Sequence, residues 1–464
     1  MSSIKANASL DAVGSGRFSS KPSYFLFLLT SAYFLSFFDR QLLIIMIENV
    51  KRDLHVSDTQ FSLLYGFAFT AMYAGLGLFF GQAVDKLPRT RLLAVAILIW
   101  SLATGACGLA QNFEQLFLAR MAVGVGEGAL APAAFSILAD LYSPARRTRA
   151  FSIYAIGIYI GGGLALVVGG HLVVALAQIK NLSLPIVGHV RSWQLAFFVA
   201  TVPGMLLALA LGFAREPLRG GQAHLEARGG AASAPHASYV AHFLANRRAY
   251  LSHHLGFGLH TGLAFALAVW LPAVFLRVHH WAPGKAGLVF GVTSAIAGIL
   301  GALSGGAIID RLVRLGLRDA PLRVCAINCL LCPVAIAIAA LSSFPPLAVS
   351  GAAVAYFLVA VTAAPAAASL QTITPAPLRG RASAVFFLVS QMVGVTLVPL
   401  CVALVTERVF HSPMAVDRSL VVVAFATMAP AAVLLWSAKS LFRVEDGDNP
   451  GPVDEVEGLT PLDA

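Results

Sequence analysis

The chain has 464 residues, of which 58% are hydrophobic and 12% are charged, and its formal net charge is +10. Soluble domains carry about 25% charged residues, so a water-soluble fold is excluded. The mean hydropathy of +0.79 instead indicates an all-α protein that crosses the membrane many times. The positive charges lie in short loops between apolar runs, where they indicate topology and not nucleic-acid binding.

The elements that this composition predicts are apolar helices. A helix needs about 20 mostly apolar residues to cross a membrane. Twelve runs meet this requirement, and we number them spans 1–12: 24–47, 60–84, 91–111, 114–140, 149–177, 193–214, 249–277, 284–309, 321–342, 345–373, 380–407 and 418–440. The long connection 215–248 predicts two six-helix halves, 24–214 and 249–440. A tail at 1–23 and an acidic, disordered tail at 441–464 complete the predicted organisation.

The distribution of Lys and Arg predicts the orientation. If both termini are cytoplasmic, the inner loops and tails hold 22 of the 32 Lys and Arg residues, and the outer loops hold eight. Positive charge collects on the cytoplasmic side of membrane proteins. We therefore predict a multi-pass protein of the bacterial inner membrane, with both termini and the 215–248 linker in the cytoplasm.

An internal repeat relates the two halves. Gly81 and Asp85 at the end of span 2 match Gly306 and Asp310 at the end of span 8. Two spans later in each half, YSPARRTRA at 142–150 matches ITPAPLRGRA at 373–382. Duplicated halves with a cavity between them are the architecture of secondary transporters.

The repeated loop resembles the signature of the major facilitator superfamily, a Gly followed four residues later by Asp and a basic residue. In this chain the two copies comprise Gly81, Asp85, Lys86, Arg89, Gly306, Asp310 and Arg311. Lys86 stands where the family usually has Arg, and Pro88 lies inside the loop. The resemblance implies the major facilitator fold, with these residues as an intracellular gate.

A narrower resemblance is to the Spinster-like transporters. It rests on FDR at 38–40, on DL…SDTQ at 53–60, on WS…T at 100–104 and on R-x3-GxGE at 120–127. These motifs cover the N-terminal half, whereas the C-terminal half matches only the superfamily. The resemblance implies that the transported molecule is a lipid-like or amphipathic anion.

Four ionisable residues lie deep in the first half: Asp39 and Arg40 in span 1, and Arg120 and Glu127 in span 4. Each charge near a bilayer centre costs about 2.5–3.5 kcal/mol, so these side chains should face the protein interior and pair. Helical spacing allows one cluster of two acids and two guanidinium groups. We predict that Asp39 and Glu127 carry the coupling proton, and that Arg40 and Arg120 are their partners or bind a substrate anion. A static salt-bridge network is the alternative.

Aromatic residues recur at helical spacing in span 2 and accompany one histidine of span 7 as candidates for lining a cavity. They are Tyr65, Phe69, Tyr73 and His260. Ordinary packing explains the same pattern, so both interpretations stay open. The pair at 253–254 is predicted to lie at a solvated interface near the start of span 7.

The sequence lacks the motifs of nucleotide hydrolysis, nucleophilic catalysis and paired-histidine metal binding. We therefore expect no enzyme activity, no metal and no other cofactor. The predicted function is a secondary active transporter that works by alternating access as a monomer in the lipid bilayer, and that moves a small molecule coupled to protons. The alternatives are a proton-coupled transporter of a sugar, organic anion or drug, and a membrane sensor that binds a ligand without transporting it.

Overall fold

The structure, a computed structural model, describes residues 21–176, 183–184, 188–217, 239–317, 319–375 and 378–438. Within these ranges it is almost entirely helical, with one antiparallel pair of two-residue strands, β1 (Ser183–Leu184) and β2 (Gly188–His189), between spans 5 and 6. The predicted all-α fold is confirmed. Most of the predicted N-terminal tail, the middle of the 215–248 linker and the acidic tail lie outside the described residues.

The N-terminal half contains spans 1–6. Spans 1, 3, 5 and 6 are unbroken helices, Pro22–Ile45, Arg89–Cys107, Pro144–Leu176 and Ser192–Gly212. Span 2 comprises Asp58–Ser62, a π-helical segment Leu63–Phe67, and Ala68–Lys86. Span 4 is broken into Phe113–Glu127 and Leu130–Leu141. A short helix, Ile47–Leu54, lies between spans 1 and 2.

The C-terminal half begins with a short helix, Tyr239–Ala245, and contains spans 7–12. Spans 7, 8, 9 and 12 are Arg247–Arg277, Pro283–Arg314, Ala320–Leu341 and Val416–Ala438, the last preceded by a 3-10 turn, Pro413–Ala415. Span 10 is broken at Thr362 into Pro345–Val361 and Ala363–Ile373. Span 11 alternates between α-helix and π-helix, as Arg379–Val389, Ser390–Leu397, Val398–Leu404 and Val405–Val409.

The twelve predicted spans are present. Among the described residues, ten helices can cross a membrane by length and composition, and span 2 makes eleven when its two parts, Asp58–Gly77 and Phe79–Lys86, which meet at 45°, count as one. Span 10, interrupted at Thr362, completes the set. Span 5 begins at Pro144 rather than residue 149, and span 8 ends at Arg314 rather than residue 309, because basic turns continue the helix beyond its apolar part.

The helices pair in the same way in both halves. Span 1 packs against span 5, span 2 against span 4 and span 3 against span 6. In the second half, span 7 packs against span 11, span 8 against span 10 and span 9 against span 12. The equivalent spans 4 and 10 also both break near their middle. This repeated packing supports the internal repeat found in the sequence.

The two halves meet closely on one side of the membrane. We call the side that holds the 215–248 connection the linker side, and the opposite side the distal side. A Cβ added at Gly163 of span 5 would lie 2.5 Å from the carbonyl oxygen of Gly291 in span 8. A Cβ added at Gly66 of span 2 would lie 2.7 Å from the carbonyl oxygen of Val395 in span 11. Glycine at these positions lets the backbones of the two halves touch in the distal part of the membrane.

Candidate functional site

A buried charged cluster lies between spans 1, 3 and 4. This N-half cluster comprises Ser36, Asp39, Arg40, Thr104, Arg120 and Glu127. No member is more than 4% exposed. All four ionisable residues predicted from the sequence therefore lie inside the protein and away from lipid, as their cost in hydrocarbon requires.

Arg40 and Glu127 form the ion pair at the centre of the N-half cluster. Nη2 of Arg40 donates to Oε2 of Glu127 at 2.7 Å, and the hydroxyl of Ser36 donates to the same oxygen at 2.5 Å. Glu127 is the last residue before the break in span 4. Because both charges are buried together, neither is left as an isolated ion in a medium of low polarity.

The other two charges of the N-half cluster make no ion pair with a described residue. Oδ2 of Asp39 accepts a hydrogen bond from the hydroxyl of Thr104 at 3.2 Å, and Oδ1 has no hydrogen-bond partner in the described ranges. Nε and Nη2 of Arg120 also lack described partners. The structure thus brings all four predicted charges into one region but forms only one of the two expected pairs.

Aromatic rings surround the two arginines. The guanidinium carbon of Arg40 lies 4.0 Å from the ring centre of Phe69, 4.8 Å from that of Phe37 and 5.8 Å from that of Tyr73. Such stacking stabilises a cation by about 0.5–2 kcal/mol. Phe69 is fully buried and also lies 5.8 Å from the guanidinium carbon of Arg120. These rings therefore stabilise the guanidinium groups of the N-half cluster.

A cavity of about 500 Å³ lies between the halves, lined by spans 1, 5, 7, 8, 10 and 11. Its size is typical of small-molecule sites. Of the residues predicted to line it, His260 belongs to the wall. Tyr65, Phe69 and Tyr73 are not among the described wall residues. The rings of Phe69 and Tyr73 instead lie against the guanidinium group of Arg40. The ring of Tyr73 packs against Phe387 of span 11, which lines the cavity, with 5.6 Å between ring centres.

The C-terminal half holds buried histidines where the N-terminal half holds charges. Nδ1 of His260 lies 2.9 Å from the hydroxyl oxygen of Thr362, at the break in span 10. Two turns away, Nε2 of His253 lies 2.9 Å from the carbonyl oxygen of Ala366, and its Nδ1 lies 3.1 Å from Nδ1 of His254. The predicted solvated position of this pair is wrong, since packing against span 10 leaves the two side chains 1% and 3% exposed. In the described ranges, no three His, Cys, Asp or Glu residues come together as metal ligands would.

Charges on the distal side join the two halves. Nη1 and Nη2 of Arg277, at the end of span 7, donate to the two carboxylate oxygens of Asp58 at 2.8 and 2.7 Å. Nε of Arg277 donates to Glu48 at 2.6 Å, and Lys51 also pairs with Asp58. The fork of an arginine matches a carboxylate in this arrangement, which makes the contact strong and specific.

A second distal contact reinforces the first. Glu407 of span 11 accepts hydrogen bonds from the amide of Thr59, at 3.2 Å, and from its hydroxyl, at the N-terminus of span 2. A carboxylate is favoured at this end of a helix. We call Glu48, Asp58, Thr59, Arg277 and Glu407 the distal gate. The distal gate was not predicted from the sequence, although opposite charges at the distal ends of spans 2 and 7 were a visible signal.

The loops predicted as an intracellular gate lie on the linker side. Their charged members are exposed: Asp85, Lys86, Asp310 and Arg311. A Cβ added at Gly81 or Gly306 would meet no atom within 4 Å. The space around these glycines contrasts with the tight backbone contacts in the distal part of the membrane.

Arg89, also predicted as a gate residue, binds within its own half. Its guanidinium donates to Asp140 at 2.5 Å and to Glu216 at 2.8 Å, and its side chain is 1% exposed. Partial burial of Glu216 opposes ionisation, but hydrogen bonds from the amide of Thr90 and from Arg89 outweigh it and hold the pKa of Glu216 below its usual value. Arg89 therefore fastens the end of span 6 to spans 3 and 4.

The family model of the Major Facilitator Superfamily matches residues 29–399. An MFS-type efflux pump of Mycolicibacterium smegmatis is 25% identical over 415 residues, which cover 88% of this chain and 90% of the pump. Protein spinster homolog 1 of Xenopus laevis is 29% identical over 308 residues, which cover 63% of this chain and 55% of that protein. The chain thus aligns with about half the length of the Spinster homologue and with most of the efflux pump.

Among solved structures, a bacterial homolog to the human lysosomal transporter Spinster, in an inward-facing and unoccupied conformation, gives a TM-score of 0.72 at 23% identity. The alignment covers 92% of this chain and 97% of that one. At this identity the likeness concerns the fold. The Spinster-like resemblance predicted from the motifs is confirmed by these matches. This integral, multi-pass membrane protein belongs to the Major Facilitator Superfamily.

Proposed function

We propose that the protein is a proton-coupled secondary transporter that moves an amphipathic small molecule by alternating access. The observation that carries this proposal is the uneven pairing in the N-half cluster. Arg40 and Glu127 are paired, whereas Asp39 and Arg120 are equally buried and lack ion-pair partners in the described ranges.

Because Asp39 and Arg120 lack ion-pair partners among the described residues, a second arrangement of the N-half cluster is available, in which these two side chains pair with each other. A nearby cation favours the ionised form of a carboxyl group, and burial favours the neutral form. A shift of spans 1 and 4 could break the hydrogen bond between Asp39 and Thr104 and bring Asp39 next to Arg120. In that arrangement Asp39 holds its proton less tightly. A proton that is held differently in two conformations links the proton gradient to the change between them.

The distal gate supplies the conformational half of this mechanism. With the linker side assigned to the cytoplasm by its positive charges, the distal side faces outward, and the described conformation is closed towards the outside. Opening outward then requires that Arg277 leave Asp58 and Glu48. In the same step, the loops that carry Gly81 and Gly306 approach each other on the cytoplasmic side.

The cavity supports the amphipathic character of the cargo. Aromatic side chains from spans 1, 7 and 11 share its wall with hydroxyl and amide groups. A wall of this kind suits a molecule with one apolar and one polar part. The relatives named as efflux pump and Spinster homologues are consistent with such cargo, without identifying it.

Proton flux in vesicles tests the proposal. The protein is reconstituted into vesicles loaded with pyranine, and gradients of octyl glucoside, octyl sulfate, puromycin and xylose are applied in turn. We expect at least one gradient to drive proton movement, with loss of that movement in Asp39→Asn and Glu127→Gln. Glu114→Gln, which removes an exposed acid from the same span as Glu127, serves as the matched control and should behave as wild type.

Two outcomes contradict the proposal. Undiminished proton flux in both Asp39→Asn and Glu127→Gln leaves the N-half cluster as a static network. Saturable binding of a compound whose gradient drives no flux of the compound or of protons favours the sensor, which was the alternative from another class.

A further inference from the structure

The wall of the cavity carries no formal charge. None of its described lining residues is Asp, Glu, Lys or Arg. Its polar members are hydroxyl groups, the amides of Gln41 and Gln391, and the imidazole of His260. The transported molecule therefore meets hydrogen-bond donors and acceptors there, and no fixed ion.

Several of these polar groups are buried without a partner. Nε2 of His260, the hydroxyl of Tyr356 and the hydroxyl of Ser390 have no hydrogen-bond partner in the described part of the chain. The three residues are 2%, 6% and 8% exposed. Buried polar groups are almost always hydrogen-bonded, so three unpartnered groups on one cavity wall indicate a place for a polar ligand group.

The guanidinium groups of Arg40 and Arg120 are not available to a ligand in the cavity. Arg40 stacks on Phe37, which lines the cavity, but its charge is balanced by Glu127. Arg120 lies beside Phe69, is 1% exposed and does not reach the wall. A charged head group in the cavity would therefore be buried without a counter-ion, which costs several kcal/mol.

We propose that the cavity binds its cargo through an uncharged, hydrogen-bonding head group, such as a polyol, glycoside or amide. The apolar part of the cargo packs against Phe257, Phe265 and Phe386, which share the wall. This inference rests on the proposed transport function and replaces the anion that the family resemblance implied.

Protection of a cysteine in the cavity wall tests the charge preference. Ser294→Cys is made in a Cys401→Ser background, because Cys401 is the native cysteine that is only partly buried. Its reaction with N-ethylmaleimide is followed at increasing concentrations of octyl glucoside, octyl sulfate and octyltrimethylammonium, which share one tail. The exposed distal position Gln111→Cys reports any effect on the reagent or the bilayer.

We expect octyl glucoside to protect Ser294→Cys at concentrations at least about tenfold lower than either charged compound, since tenfold corresponds to 1.4 kcal/mol. Adding Gln391→Glu should move the preference to octyltrimethylammonium, and Gln391→Lys should move it to octyl sulfate. Matching shifts in both variants support binding through the cavity wall.

Three results overturn the inference: equal protection by all three compounds, better protection by a charged compound with the native wall, or no protection by any compound. None of them removes the proposed proton coupling, which is measured separately as proton flux that Asp39→Asn and Glu127→Gln should abolish. Conversely, proton flux that is undiminished in both variants, with intact protection by octyl glucoside, removes the proton coupling and leaves the binding inference standing.

Discussion

The two halves of the molecule share one helix arrangement but place different chemistry at equivalent positions. At the break in span 4, Glu127 pairs with Arg40 of span 1. At the break in span 10, Thr362 bonds to His260 of span 7. The N-terminal half therefore has an ion pair at this position, whereas the C-terminal half has a hydrogen bond between two side chains that carry no fixed charge.

This difference suggests a division of work between duplicated units. A buried ion pair changes its energy steeply when its geometry changes, which suits coupling to a proton gradient. Neutral hydrogen bonds tolerate small movements, which suits a wall that adapts to cargo. Substitutions that exchange or remove these contacts test whether the two halves differ in this way.

The largest effect is expected from Arg40→Met, which leaves Glu127 buried without its partner. We expect a loss of about 3–5 kcal/mol of stability, measured as unfolding of the purified protein. Replacing both partners, as Arg40→Met with Glu127→Leu, should recover most of this loss. The equivalent change in the other half, His260→Leu, should cost about 1–3 kcal/mol, because Thr362 keeps its bond to the carbonyl of Val359. Equal losses of stability in Arg40→Met and His260→Leu would show that the two halves do not differ in this way.

The contact between the halves is tested by Arg277→Ala, which removes the cation that binds Asp58 and Glu48 from the opposite half. Loss of one partner of a buried charge pair typically costs about 2–5 kcal/mol. We expect the population with a closed distal side to fall, seen as faster labelling of cysteines placed near the gate. Arg52→Ala removes an exposed arginine whose ion-pair partner among the described residues is its neighbour Asp53, and it should leave the labelling rate unchanged. The same labelling rate in both variants would show that the distal gate does not hold the halves together.

Backbone contact between the halves predicts a smaller effect. In Gly66→Ala the new methyl group would lie 2.7 Å from the carbonyl oxygen of Val395, so the distal side should separate at a cost of about 1–3 kcal/mol. Gly77→Ala in the same span meets no atom within 4 Å and is the matched control. If both variants label at the wild-type rate, the halves are not as close at Gly66 as described.

The smallest effect concerns pH and lies outside the membrane. The pKa of Glu216 is lowered in the fold from its usual 4.5, so its ionised form stabilises the protein above that value, and the stabilisation is lost as the pH falls through the lowered pKa. Since Glu216 is partly exposed, we expect about 1 kcal/mol or less. Glu216→Gln should lower the melting temperature at pH 7, and this deficit should shrink as the pH falls below 4.5, with Glu114→Gln as the control. A deficit that persists unchanged at pH 3 would show that charge is not the cause.

Much of the fold and part of the candidate site could be predicted from the sequence. The spans could be predicted because the length of an apolar run is a property of a single helix. The cost of a charge in hydrocarbon also applies to each helix separately, and it identified Asp39, Arg40, Arg120 and Glu127. The distal gate depends on which ends of spans 1, 2, 7 and 11 meet in one conformation, and hydropathy carries no such information. The same limit explains why the sequence left Tyr65 and Phe69 open between lining the cavity and ordinary packing, since spacing along a helix does not tell which neighbour a face meets.

The central claim is that the N-half cluster converts protonation into movement of the two halves. Its most direct test is the distance between spin labels at Gln111→Cys and Met414→Cys, exposed distal positions in opposite halves, in a chain whose five native cysteines are alanine. Without any ligand, we predict that the distance distribution shifts between pH 5 and pH 8, and that Asp39→Asn abolishes the shift while Glu114→Gln preserves it. A wild-type pH response that survives in both Asp39→Asn and Glu127→Gln would contradict the claim.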